Sequence, residues 1–522
     1  MIKIKHLFII FVFFSFAVGI SANEQIGSYM DEYFEVLALA GLVERPALMY
    51  KSLSRNTWEV PRESVDHPWK TRMDGEKAWN WSKGVNLNFI SPEFVVSYNT
   101  SYDRGSNDGA FWQGRGINSM IFGGANLNWK WLSATLAPEL WFSQNKEFDL
   151  MPSNPSLSQF SYPVGGIDFP QRFGDSPIIA YGLGQSDLRM DIGRLTLGLS
   201  HENLWFGSTN INPILMSNNA SGFPHVDFGV RKFHNYLGDL EINLVWGGLL
   251  ESEYFDENDT NDYRLFSALT FGYSPVFLRN LTLGFNRVMY TPWQDLMFYD
   301  FIVVLDPTGS YKYGADDRDQ MISFTMDWLL PASMFNVYLE WARNDFSPDL
   351  RYAISYPQHS QAYTLGFQKL LFTKKRRIIS IIAELTELVR SKDVDGGSPS
   401  YYIHHQAIQG YTHLGQIMGA SIGPGSNSQS LKISYYDRWG RVELQLLRIA
   451  YNYDYYYAQL FPASWNPASN ELEITAGLKG VIFLNMIDIC TEIDVSYFEN
   501  FNYIRHNDVW NFYGKLSFRY RL

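Results

Sequence analysis

The chain has 522 residues, a formal charge of −12 and 46% apolar residues, of which 37 Phe, 33 Tyr and 16 Trp make up a 16% aromatic share. The acidic balance argues against a nucleic-acid partner, which needs a basic footprint, and the lone Cys490 excludes an intramolecular disulfide. After the N-terminal run no stretch reaches the roughly 20 apolar residues of a spanning helix, so a helical membrane protein is excluded. High aromatic content with modest total hydrophobicity instead suits a wall that alternates lipid-facing and lumen-facing residues between aromatic girdles.

Residues 1–22 read as a signal peptide: a basic start with Lys3, Lys5 and His6, an apolar run over 7–20, and small residues to Ala22, where cleavage is expected. Residues 23–80 read as a small periplasmic helical segment. Met30, Tyr33, Phe34, Leu37 and Ala40 form one stripe, Ser28 with Asp31 resembles a cap, and Gly41 marks a stop. A second short helix is expected over 46–54. The segment is too small to fold alone and is expected to pack against the periplasmic end of the β-rich remainder of the chain.

From about Trp81 to the C-terminus, period-two segments recur in pairs. Ile322, Phe324, Met326 and Trp328 are followed, across Pro331, by Phe335, Val337, Leu339 and Trp341. The same grammar joins 265–273 to 281–285, 363–367 to 379–385 across Lys374-Lys375-Arg376, 431–435 to 442–446, and 472–478 to 487–497. Long polar loops are expected at 102–119, 143–186, 291–319, 344–360 and 391–429. Short turns on one rim and long loops on the other is the outer-membrane arrangement, and about 440 residues at roughly 24 per strand and connection give about 18 strands. The fold expected is all-β: a transmembrane antiparallel β-barrel over 81–522.

The last strand alternates Trp510, Phe512, Leu516 and Phe518 against Lys515, Arg519 and Arg521, and is expected to close the barrel against residues 85–89. Glu384, Glu473, Asp488, Glu492 and Asp494 fall on the lumenal side, where they need water or basic partners such as Arg343 or Arg519. Lys515, Arg519 and Arg521 are expected to meet carboxylates such as Glu492 or Asp494.

One dense motif interrupts this background: His201-Glu-Asn-Leu-Trp-Phe-Gly207, then Asn212 to Pro224 with Ser217-Asn-Asn-Ala-Ser-Gly-Phe-Pro. Asn218-Asn219 and Gly222 can accept positive φ. Here the chain resembles the Wzi family of outer-membrane capsule-assembly proteins, which carry an Asn-x-Trp-aromatic-Gly stretch followed by Ser-Asn-Asn-Ala-x-Gly-Phe-Pro. Ser208-Thr209 stand where that pattern has Pro-Gly. The resemblance implies a lectin-like barrel at the Gram-negative outer membrane that holds capsular polysaccharide, with no catalysis and no cofactor.

Trp205 and Phe206 could stack on sugar rings while Asn218, Asn219 and Glu202 bond hydroxyls. The competing reading is a tight turn that uses Asn and Gly for backbone geometry. External-loop aromatics, including Phe111, Trp112, Phe160, Tyr162, Tyr401 and Tyr402, are the other expected contacts. His201 with Ser217 lacks the spacing and orienting acid of a hydrolase, and His404, His405 and His413 lack carboxylates at ligand spacing, so neither catalysis nor a metal is expected. The partners expected are surface polysaccharide and outer-membrane lipid, for a monomeric barrel without nucleic acid. The alternative function is a porin-like diffusion channel for sugars or small solutes.

Overall fold

The computed structural model describes residues 22–59, 66–73, 79–82, 84–154, 156–278, 280–306, 318–344, 351, 355–373, 377–391, 400–460 and 469–521. The expected signal peptide, up to residue 21, and the turn 374–376 lie outside the described residues.

Eighteen antiparallel strands close into a barrel. In chain order they are β1 (Val85–Asn99), β2 (Gly116–Trp129), β3 (Leu132–Leu136 continued by Glu139–Ser143), β4 (Ile178–Gly182 continued by Asp187–Ile192), β5 (Leu195–Ser200) and β6 (His225–Asn235). Next come β7 (Gly238–Leu250), β8 (Tyr263–Pro275), β9 (Leu281–Pro292), β10 (Asp319–Leu330), β11 (Phe335–Asn344) and β12 (Gln361–Phe372). The wall ends with β13 (Ile378–Glu387), β14 (Asn427–Asp437), β15 (Gly440–Ala450), β16 (Leu472–Leu484), β17 (Ile487–Glu499) and β18 (Val509–Tyr520). Prolines, which lack an N–H for the ladder, mark two of its irregularities: Pro138 divides β3, and the β1–β2 register shifts between Ile90 and Glu93, around Pro92. All five hairpins read from the alternation are present.

Alternation decides what faces out. On β18, Trp510, Phe512, Leu516 and Phe518 are exposed on the outer wall while Asn511, Tyr513 and Ser517 are buried inside. A strand of 13 residues is about 43 Å long, enough to cross the roughly 25 Å apolar band at the usual tilt. The closing pairs, however, run from Tyr513↔Asn99 to Arg519↔Glu93, rather than along 85–89. Barrel closure staggers the strands by a fixed shear, and the start of β1 is instead covered by Trp79–Ser82, with Trp79 opposite Leu87.

The N-terminal segment enters the lumen at the short-turn rim. The helix α1 (Tyr29–Leu39) starts at Ser28, whose hydroxyl accepts from Asp31 N at 3.2 Å, and ends before Gly41 at φ +72°. It buries nearly all its side chains rather than one stripe. Trp58 stacks on Phe34 at 5.2 Å, Trp69 stacks on Tyr33 at 4.1 Å, and Trp69 Nε1 donates to the carbonyl of Asp437 in the β14–β15 turn. The second helix expected over 46–54 is absent, and Tyr50–Lys51 forms a short ladder with Trp205–Phe206. The N–H groups of Leu48 and Tyr50 go to the carboxylate of Glu241, and that of Ser54 goes to Glu202, so they are not available to a helix.

The cations of β18 find partners in the inserted chain rather than across the wall. Lys515 pairs with Asp108 at 2.8 Å, Arg519 with Glu24 at 3.1 Å, and Arg521 donates to the carbonyl of Arg72. Glu492 pairs with Lys479 at 2.8 Å, Arg104 bridges Glu473 and Asp494, and Arg72 meets Asp488. Arg343 donates to the carbonyl of His359.

Ile493 is 62% exposed at the middle of β17. Ile493→Arg therefore is expected to lower folding stability in liposomes by about 2–4 kcal/mol, the cost of a cation at the lipid midplane. Denaturant titration against an Arg505→Ala control, on an exposed loop, measures it.

Candidate functional site

Inside the wall, the connection 201–224 between β5 and β6 descends from the long-loop rim and meets the N-terminal segment at the ladder between Tyr50–Lys51 and Trp205–Phe206. Such irregular chain has backbone donors without a ladder, and leaving them unpaired in a dry interior is costly. Carboxylates on the wall accept them. Glu384 takes the N–H groups of Asn210, Ile211 and Asn212 at 2.9, 3.1 and 2.8 Å, together with the Tyr338 hydroxyl. Glu340 takes Ile214 N at 2.8 Å. On the opposite side Arg189 grips Asp227 with two bonds of 2.7 and 2.8 Å and also reaches Asp187.

The residues 217–224 stitch three connections together. Ser217 N donates to Met418 O at 2.8 Å and Ser217 Oγ to Gly419 O at 2.6 Å. Asn219 Nδ2 donates to Ile417 O at 2.9 Å, and Asn218 Nδ2 to Asn107 O at 3.1 Å. Gly222 is not at positive φ. Its need is close approach: a Cβ there would lie 1.9 Å from the carbonyl oxygen of His201. Asn218 and Asn219 likewise have ordinary φ and act through their amides.

The expected sugar contacts fall mostly inside this packing. Phe206 and Tyr402 have no exposed surface, Tyr401 is 1% exposed, and Trp205, Tyr162 and Asn218 are all below a tenth. Tyr402 donates to Ile214 O and accepts from Ala420 N, and Tyr162 accepts from Asn452 Nδ2. No ring face of Phe206 or Tyr402 is open to a ligand in this conformation. Glu202 is fully buried on Ser54. Asn219 is only half-buried, but its amide is used within the plug. His413 is buried and accepts from Leu250 N, apart from His404 and His405, whose rings lie 4.8 Å apart and tilted.

Trp112 is different. It is half-buried at the long-loop rim, where its ring lies 4.6 Å from Phe173, Phe173 lies 5.6 Å from Tyr254, and Tyr254 lies 5.9 Å from Phe160. The guanidinium of Arg172 sits 5.5 Å from the Phe160 ring. A second aromatic group stands in the connection after β15. There a helical turn, Tyr453–Tyr455, runs into a π-turn, Tyr456–Leu460, the kind of irregularity found at functional sites. Tyr453 stacks with Tyr457 at 5.9 Å, Tyr456 meets Tyr457 edge-on at 5.1 Å, and Tyr457 is 55% exposed. Asn452 caps this turn through Tyr455 N, and Asp454 fixes it by accepting from Ser400 Oγ and Arg390 N. The signal was in the sequence: five tyrosines among seven residues from Tyr451 to Tyr457.

The inner wall is only partly covered along β16 to β18. Glu443, Lys479, Glu492 and Lys515 succeed one another across adjacent strands with alternating charge, and Lys479 and Lys515 keep about a quarter of their side chains exposed.

Asp168, in the connection after β3, accepts from Ser252 N at 2.7 Å and Ser252 Oγ at 2.6 Å. Burial outweighs these bonds and pushes its carboxyl up to about 6 from the usual 3.8. A folded-state value above the unfolded one means that the folded form binds the proton more tightly. Stability contributed here is complete below about pH 3.8 and is lost as pH rises from there through about 6. Asp168→Asn should remove that pH dependence and raise stability relative to the parent at pH 8, measured by denaturation at pH 4, 6 and 8.

No known protein-family profile matches the chain, and no curated protein does. Solved structures do. Wzi, an Escherichia coli outer-membrane protein involved in group 1 capsule assembly and described as a carbohydrate-binding β-barrel, aligns over 83% of this chain and 85% of its own, with 11% identity and a TM-score of 0.56. OccK7 (OpdD) of Pseudomonas aeruginosa aligns over 83% and 99% with 10% identity and a TM-score of 0.42. A BenF-like porin of Pseudomonas fluorescens aligns over 85% and 100% with 8% identity and a TM-score of 0.41. At these identities the likeness to Wzi is one of fold: an outer-membrane β-barrel.

Proposed function

We propose that this barrel is a non-catalytic receptor that holds surface polysaccharide on the outside of a Gram-negative cell, after its leader is cleaved near Ala22 and with residues 23–80 at the periplasmic end. The observation that carries the reading is the pairing of a filled lumen with half-open aromatic rings on the external face. Inward-facing side chains such as Asn99, Val245, Ala342 and Thr386 are fully or almost fully buried under the inserted chain. Trp112, Phe173, Tyr254, Tyr453, Tyr456 and Tyr457 remain at least partly open to solvent. Flat rings beside amides and charged groups are how proteins hold sugar rings without performing chemistry on them. The fold likeness to a carbohydrate-binding barrel agrees with this.

A channel for small solutes is the second reading, and the strip Glu443–Lys479–Glu492–Lys515 is what favours it. Charge that alternates at short spacing along a partly covered wall is where a narrow aqueous path would run. The two readings differ in what the loops do: a channel needs that path continuous, and a receptor needs only the rings.

Deleting the gene should release polysaccharide into the medium without stopping its synthesis, and unchanged retention by the cells would sink the proposal. In the purified protein, joint replacement of Tyr453, Tyr456 and Tyr457 by Ala should weaken binding of the cell's own polysaccharide about tenfold or more, roughly 1.4 kcal/mol. Phe206→Leu, inside the plug, serves as the control for a general packing effect.

A further inference from the structure

The connection between β9 and β10 does not stay at the external rim. Its described part, 293–306, lies against the outside of the wall. Alternation puts Arg287 and Met289 of β9, Ser267 of β8 and Gln320 of β10 on the outer face, yet all four are buried. Val303 and Val304 pack on Met289, together with the outward Leu244 and Leu269. Trp246, outward on β7, donates from Nε1 to the carbonyl of Phe301 at 2.6 Å. Leu244 lies six residues below Leu250, the external end of β7, so the segment descends about 20 Å along the strand. At the usual tilt that is about 15 Å below the rim, well inside the level of the outer leaflet.

Irregular backbone is not stable in lipid unless its polar groups are satisfied internally. This segment meets that condition. Asp300 N, Ile302 N, Leu305 N and Asp306 N donate to carbonyls three residues back, and Met297 N donates to the Asp300 carboxylate. Three carbonyls, those of Val303, Val304 and Asp306, accept from Arg287 Nη1 at 3.2, 3.2 and 2.7 Å. The Asp300 carboxylate is buried against Arg318, and the Tyr299 hydroxyl closes on Asp306. Its free face is mostly apolar: Phe298 is 81% exposed, Trp293, Met297, Ile302 and Leu305 are each more than 40% exposed, and Gln294 is an exposed polar side chain. This face continues the apolar outer wall of Phe228, Phe271 and Phe324.

We propose that 293–306 is a lip embedded in the outer leaflet, with Phe298, Met297 and Leu305 among the acyl chains of its lipids. It turns a polar patch of wall, centred on Arg287, into an apolar surface, and so enlarges the protein's lipid contact on one side only. A patch of Ser267, Gln320 and Arg287 needs no such covering beside water. An apolar medium outside is what makes a covering with a satisfied backbone and an apolar outer face favourable.

The test uses the full chain in liposomes of phosphatidylethanolamine and phosphatidylglycerol, with Cys490→Ala as background and a nitroxide spin label on Phe298→Cys. Collision with oxygen should exceed collision with a water-soluble nickel chelate to the extent seen at Phe324→Cys on the barrel wall. A chelate accessibility equal to that at Glu257→Cys, on an exposed loop, would overturn the proposal. So would dipolar broadening between labels, which would place a second copy of the chain on this face. Leu305→Cys repeats the measurement at a second position, should Phe298→Cys fail to fold.

Discussion

The structure depends on carboxylates of the inner wall and of the inserted chain accepting hydrogen bonds from backbone that has no ladder of its own. Glu241 holds the N–H groups of Leu48 and Tyr50, Glu202 that of Ser54, Glu384 those of 210–212, and Glu340 that of Ile214. Each bond to an ionised acceptor is worth more than one between neutral groups. Together they give seven backbone donors of two irregular segments, one from each rim, acceptors inside the barrel. A solvated lumen would need none of these contacts.

Filling the lumen this way leaves the partly open aromatic rings at the long-loop rim. The residues 217–224 carry the most distinctive sequence in the chain, yet they serve as a junction: Ser217, Asn218 and Asn219 tie 201–224 to 102–115 and 411–419. The rings left open belong to connections that this junction supports. The wall itself divides its labour by parity, since outward side chains meet lipid and inward ones hold the plug. The outward polar residues around Arg287 are covered by chain from above.

Period-two alternation made the wall legible, because a strand's two faces meet different media and every second residue records which one. The α1 cap and stop were legible for the same reason, since Ser28 and Gly41 act within a few residues. The closing register was not, because shear is a property of the whole cylinder. Nor was the plug: Glu241 meets Leu48 from 193 residues away and Glu384 meets Asn212 from 172, and no local pattern encodes such pairs. For the same reason Lys515 and Arg519 found Asp108 and Glu24 instead of their strand neighbours. Aromatics in connections read as external contacts, but Tyr401 and Tyr402 turn inward as packing, whereas the cluster after Tyr451 stays partly open.

The central claim is that the carboxylate-held plug closes the lumen. Conductance in planar bilayers tests it most directly. The unmutated protein should show no steady pore current, whereas Glu241→Ala with Glu384→Ala, which leaves five backbone donors without their acceptors, should show flickering openings. A stable ohmic conductance in the unmutated protein, of the size expected for an open 18-strand barrel, would contradict the account.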